Sequence, residues 1–259
     1  METFQFGEKN PCFGAYWPPG PSSRPPTRCL FVFPWGQEYY RSHRVVLHIA
    51  GELARQGVHA FVFDYRGTGD SSGDHAHLTY KSACKDAKVA AEEFADIAGD
   101  DPLTIVGIRL GANVALTIAD AVKARHVVVW DPIEDGRHYL AENRRLHHEM
   151  CQDPYRFRSL RVTPEQEILG FSYSETALKE VADLNLETQL GALKNRRMKI
   201  SGIAATASTL SGQNLAEKIV LGEVRESANK HWENYRLLEL ALTPGAESRF
   251  ITEQVVAKK

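Results

Sequence analysis

What this 259-residue chain lacks narrows its class. It has four cysteines, Cys12, Cys29, Cys84 and Cys151, set far apart, with no CxxC pair and no Cys/His ligand spacing. That pattern argues against a disulfide framework or a zinc site and predicts reduced thiols in a cytoplasmic protein. His147-His148-Glu149 is not H-E-x-x-H, so no metal is expected. Neither G-x-x-x-x-G-K-[ST] nor G-x-G-x-x-G occurs, and no cofactor is expected. No run approaches about 18 consecutive apolar residues, so no membrane span is expected. The opening METFQFGEKN has no apolar stretch of the signal-peptide kind. With 31 basic against 33 acidic residues the net charge is −2, which gives no pull toward nucleic acid or membranes. There is no internal repeat.

What is present has the balance of a soluble globular domain, 43% hydrophobic and 25% charged. The length fits one α/β domain of about 200–250 residues with an insertion. It is enough to bury a sizeable core. Residues 2–7 alternate and predict a strand, with 12–17 as its hairpin partner. The proline-rich link at 18–26 cannot be helical. Short apolar runs at 29–33, 59–63, 103–106 and 126–130 predict strands buried on both faces. Helical spacing at 41–56, 82–98 and 112–123 falls between them, and Gly57 ends the first of these helices. Such alternation predicts a mostly parallel central sheet with helices on both faces.

After Asp131-Pro132 the rhythm breaks. Residues 133–195 read as helical and polar, with no clear strand. Strands resume at 199–204 and 217–221, a last helix is expected at 231–243, and the charged tail from Pro244 is expected to fray. The domain reading is therefore a core at 1–130, a helical cap insertion at 131–195, and a second part of the core at 196–259.

The segment Gly107-Ile108-Arg109-Leu110-Gly111 links a predicted strand to a helix. It matches G-x-S-x-G, in which a strained turn holds a nucleophilic serine above a sheet, except that the centre is Arg. A guanidinium is cationic at any relevant pH and cannot attack a carbonyl. Two further segments flank sheet ends, Phe33 to Arg44 and Asp64 to Gly73. In the second, Asp64 and Arg66 read as braces of a glycine turn. Ser71 and Ser72 have no evident activating base, and Cys84 reads as a packing residue.

Residues 29–140 resemble the α/β-hydrolase superfamily. The segments PWGQEYYRSHR, DYRGTGDSSGD, GIRLGA and VVVWDPIEDGRHYL are similar to a serine-aminopeptidase-like subgroup that includes the "hydrolase 2" proteins associated with exosortase systems. Gly170 to Tyr173 is similar to a cap motif of that subgroup. The resemblance implies an α/β-hydrolase fold with a helical cap. It places oxyanion donors at Trp35 or Gly36 and at Leu110, with Glu38 beside them as a substrate-binding candidate. By chain order it points to Asp131 as the acid and His231 as the histidine, around Arg109.

Arg109 could hold an anion through a bidentate fork, or pair with Asp131 or Glu38 and plug the site. Arg144, His147 and His148 could share a helix face, either solvated or drawing anionic substrates to an entrance. Three functions compete. One is an atypical enzyme acting on an acyl, ester or peptidyl small molecule in a biosynthetic pathway. Another is a non-hydrolytic epimerase, isomerase or lyase using a histidine base and an arginine clamp. The third is a catalytically inactive binding or scaffold protein. The expected partner is a small-molecule or peptide substrate, anionic ones included, and the sequence leaves the oligomeric state open.

Overall fold

Strands that are apolar on both faces must be covered on both faces, and the runs noted above become the middle of such a sheet. The computed structural model describes residues 1–7, 9–23, 25–153, 162–193, 198–204, 220–226 and 246–256. Its strands are β1 (Glu2–Phe6), β2 (Cys12–Trp17), β3 (Thr27–Val32), β4 (Val58–Phe63), β5 (Leu103–Ile108), β6 (His126–Trp130), β7 (Glu167–Ile168), β8 (Phe171–Ser172), β9 (Lys199–Ala204) and β10 (Val220–Glu226). Eight of them form one sheet in the order β1-β2-β4-β3-β5-β6-β9-β10. The β1–β2 and β2–β4 pairings are antiparallel, and every other neighbour in that sheet is parallel.

The helices are α1 (Gly36–Arg55), α2 (Tyr80–Ala98), α3 (Leu110–Ile118), α4 (Gly136–Cys151), α5 (Glu175–Ala182), α6 (Leu186–Ala192) and α7 (Ala246–Val256). The helices α1 and α7 pack together, as do α2 and α3, and both pairs lie on the sheet. In the parallel register Val32 pairs with Gly107, Gly107 with Val129, and Val129 with Gly202. The C-terminal ends of β3, β5, β6 and β9 therefore emerge side by side, which places their following loops in one region.

Several elements differ from the sequence expectation. Helix α1 starts at Gly36 rather than at 41, because Glu38 and Arg41 are buried where a polar pattern suggests solvent. Helix α2 begins two residues early, at a Thr79/Ser82 capping box. Helix α3 covers Leu110–Ile118 rather than 112–123. The stretch expected to hold no strand carries the β7–β8 hairpin. Its two-residue turn, Leu169-Gly170, has φ of 52° and 87°. Turns of that hand favour Asn-Gly, so a leucine in the first position hides the signal. Strand β10 covers Val220–Glu226 and so runs past the expected end at 221, while 217–219 lie outside the described residues. The helix expected at 231–243 lies outside the described residues. The tail expected to fray instead forms α7, because Phe250 and Ile251 are fully buried in the core.

Two outcomes follow. Phe250→Ala will lower the unfolding free energy by about 3–5 kcal/mol in urea titration, as for a core aromatic; a loss under about 0.5 kcal/mol would return the tail to a frayed end. His126, buried against Ser201 Oγ at 2.9 Å, has its pKa pulled down to about 3 by burial and then by Lys199. The unfolded chain takes up a proton near pH 6.5 that the folded chain refuses until about pH 3. Stability is therefore full above pH 6.5 and falls by up to about 1.4 kcal/mol per pH unit below it. His126→Gln will flatten that slope in pH-dependent denaturation.

Candidate functional site

The backbone between β5 and α3 makes a sharp turn at Arg109, with φ 52° and ψ −125°. A side chain in this conformation is strained, and it persists only where the surroundings impose it. Here the Arg109 N–H donates to the Trp130 carbonyl and the Arg109 carbonyl accepts from the Ala112 N–H, both at 2.8 Å. The flanking glycines are needed for close approach. A Cβ on Gly107 would lie 2.5 Å from Ala112 Cα, and one on Gly111 2.3 Å from the Val32 carbonyl oxygen. This is the strand–turn–helix geometry of G-x-S-x-G, with an arginine at its apex.

Arg109 Nε donates to Glu38 Oε1 at 2.9 Å, and Nη1 donates to the backbone carbonyl of Asp131 at 3.1 Å. The other oxygen of Glu38 accepts from the Tyr139 hydroxyl at 3.0 Å. The guanidinium carbon lies 5.6 Å from the centre of the Tyr139 ring, a cation–π distance. Burial is the largest influence and works against the Arg109 charge, but Glu38, Tyr139 and Asp131 together outweigh it, and the pKa of Arg109 is raised. Burial, followed by Glu38, pushes Tyr139 well above the usual phenol range, so it stays a donor.

The other site candidates lie close by. Asp131 follows β6 with φ 45°, is buried, and donates its N–H to the Ile203 carbonyl at 2.7 Å. Gly36 and Leu110 open α1 and α3, so their N–H groups belong to first turns that have no intrahelical acceptor. Gly36 sits at φ 55°, and a Cβ there would be 2.4 Å from the Tyr173 hydroxyl. Trp35 stacks on Tyr173 with ring centres 6.4 Å apart. The structure thus brings Trp35, Gly36, Glu38, Arg109, Leu110 and Asp131 into one region. His231 lies outside the described residues.

Tyr139 and Tyr173 are the two residues that sequence reasoning missed. Both sit in segments noted for family resemblance, but a tyrosine on a polar helix or a short hairpin gives no signal of where its hydroxyl ends.

The remaining candidates have other duties. Ser71 Oγ donates to the Asp64 carbonyl and accepts from the Phe13 N–H, both at 2.7 Å. Asp64 accepts from the Tyr39 hydroxyl at 2.8 Å and from the Asp70 N–H at 3.0 Å. Arg66 binds Asp86 through Nε at 2.7 Å. Burial pushes the Cys84 thiol up to about 12. The face suggested for Arg144, His147 and His148 splits, since His147 is buried while the other two are exposed. His147 Nδ1 accepts from the Leu169 N–H at 3.0 Å, and its Nε2 lies 2.7 Å from Thr163 Oγ1.

Above the turn lies a cavity of about 30 Å³. Trp35, Glu38 and Leu110 line it from one side, and Tyr139, Ile168 and Tyr173 from the segment between β6 and β9. Arg109 is not among the described residues on its wall.

Among the described residues no helix is long and apolar enough to cross a membrane. No curated protein matches the chain. Residues 39–162 match the family model of serine aminopeptidase S33. Among solved structures, Est1E from Butyrivibrio proteoclasticus with bound ferulic acid is 11% identical with a TM-score of 0.56, over 95% of this chain and 93% of that one. The mouse alpha/beta hydrolase domain-containing protein 10 is 15% identical with a TM-score of 0.55, over 98% and 97%. XC6422 from Xanthomonas campestris, an α/β serine hydrolase without a lid, is 16% identical with a TM-score of 0.52, over 87% and 84%. The sheet order, the strand–turn–helix at residue 109 and these likenesses agree, and the chain has an α/β-hydrolase fold.

Proposed function

We propose that this chain belongs to the α/β-hydrolase superfamily, that it does not perform serine hydrolysis and that it binds a small acyl-type molecule beneath a helical cap. The reading rests on one observation. The side chain at the apex of the turn is a guanidinium held by Glu38 and by the Asp131 carbonyl, and it does not line the cavity. A cation in that place offers no nucleophile, and its counter-charge is already supplied from within. The apolar share of the cavity wall, with Leu110 and Ile168, suits an acyl chain. Est1E, a protein of the same fold, holds ferulic acid, a small carboxylic acid. Residues 131–195 would serve as the cap over a core formed by 1–130 and 196–259. The four cysteines are buried and none is in a disulfide, in keeping with a cytoplasmic setting. An epimerase or lyase with an arginine clamp would need Arg109 to face its substrate.

The purified protein will give no covalent label with a fluorophosphonate probe and no turnover across an activated-ester panel. A labelled serine together with ester turnover would sink the proposal. The plug itself has a thermodynamic signature. Glu38→Leu alone will cost about 3–5 kcal/mol in urea denaturation, because it strands a buried cation. The double variant Glu38→Leu/Arg109→Met will recover to within about 1 kcal/mol of the native protein. A double variant no more stable than the single one would show that the pair is not acting as a self-neutralising plug.

A further inference from the structure

We infer that β1 is a docking edge for a second copy of this chain, and that two copies pair antiparallel through Glu2–Phe6 to join their sheets across a two-fold axis. Strand β1 ends the eight-stranded sheet, and among the described residues its one strand partner is β2. The direction of its backbone groups follows from β2. The Phe13 N–H donates to Ser71 Oγ at 2.7 Å, and the Phe13 carbonyl accepts from the Asp64 N–H at 3.0 Å. Asp64 follows β4, which lies on the far side of β2 from β1, so both groups of Phe13 face away from β1. In an antiparallel ladder that direction alternates residue by residue. Cys12, Gly14 and Tyr16 therefore face β1, where their register partners are Phe6, Phe4 and Glu2. The N–H and C=O groups of Thr3 and Gln5 are left pointing off the sheet, and both residues are exposed.

An open strand edge is a template for pairing, and proteins usually blunt it with lysine, proline or a bulge. The strand at the opposite end of the sheet, β10, carries a register shift between Leu221 and Val224. The β1–β2 register runs without a break, and Glu2–Phe6 holds neither lysine nor proline. A second copy is the partner that the strand itself specifies. One antiparallel register matches the whole of Glu2–Phe6 to itself: Phe4 meets Phe4 on the axis, Thr3 meets Gln5, and Glu2 meets Phe6. There the outward groups of Thr3 and Gln5 exchange both backbone bonds with their opposites in the other copy. Phe4 falls at a non-hydrogen-bonded position, where facing side chains come closest. Its ring is partly exposed beside Phe61, 5.7 Å between centres, and the two-fold covers it with a second phenylalanine. Each Glu2 faces an apolar residue rather than the other Glu2, which keeps like charges from standing directly opposite. The strand is already ordered by its sheet, so pairing costs it little conformational entropy.

The test is sedimentation equilibrium of the full chain between about 10 µM and 1 mM. The native protein will rise to twice the chain mass across that range. Thr3→Lys/Gln5→Lys sets lysine opposite lysine between copies and will stay at the chain mass. Thr3→Lys/Gln5→Glu sets lysine opposite glutamate in the register described and will return to twice the chain mass. Both positions are exposed in the single chain, so circular dichroism of the two variants will match the native spectrum. Where a variant does not fold, amide hydrogen exchange of the native protein decides. The Thr3 and Gln5 N–H groups will exchange about tenfold more slowly at the highest concentration than at the lowest. A native protein that keeps the chain mass throughout overturns the inference. So does a folded double-lysine variant at twice the chain mass, a folded lysine–glutamate variant that stays single, or exchange at Thr3 and Gln5 that ignores concentration.

Discussion

A guanidinium at the apex of a strand-to-helix turn creates an electrostatic demand that organises everything around it. Arg109 sits at the N-terminus of α3, where the helix dipole already presents positive charge. Its side chain is only 18% exposed, so water cannot supply most of the screening. Glu38 meets the demand from the first turn of α1, where a carboxylate is itself favoured by that helix's dipole. One acid thus answers two helix N-termini and one cation. Each of its oxygens accepts a hydrogen bond, the second from the Tyr139 hydroxyl.

The same demand ties the segment between β6 and β9 to the sheet. Tyr139 comes from α4 and closes over the ion pair. A second tie lies on α3, where the Asn113 side chain exchanges hydrogen bonds with the Ile133 N–H and carbonyl, both at 2.9 Å. Gln189 of α6 binds Asn113 at 2.7 Å and reaches the Tyr80 hydroxyl at 2.8 Å. The proposed cap is therefore stitched to the core by buried polar groups. Further out, the Leu169 backbone is held on its N–H by His147 Nδ1.

Most of the sheet was legible because two-sided burial leaves uninterrupted apolar runs. The strands at 126–130 and 199–204 coincide with β6 and β9. The arginine at the turn was equally visible, since the two glycines required by close packing fix its place. Three things were not legible. The early start of α1 was hidden because Glu38 and Arg41 read as solvent-facing, whereas both are buried. The partner of Arg109 was open between Asp131 and Glu38, and only three-dimensional register shows that Asp131 gives its carbonyl while Glu38 gives its carboxylate. The β7–β8 hairpin and α7 escaped because a leucine occupied a turn position and a charged tail carried two core residues.

Glu38, Arg109 and Tyr139 belong to three separate helices or their borders, yet each is an unfavourable choice without the other two. That mutual dependence makes any single change at the turn costly. Placing serine at position 109 alone leaves a buried carboxylate without its cation, and removing the acid alone leaves the cation without its counter-charge. The turn has the shape of a nucleophile-bearing site, while a serine at its apex is reachable only through less stable single variants.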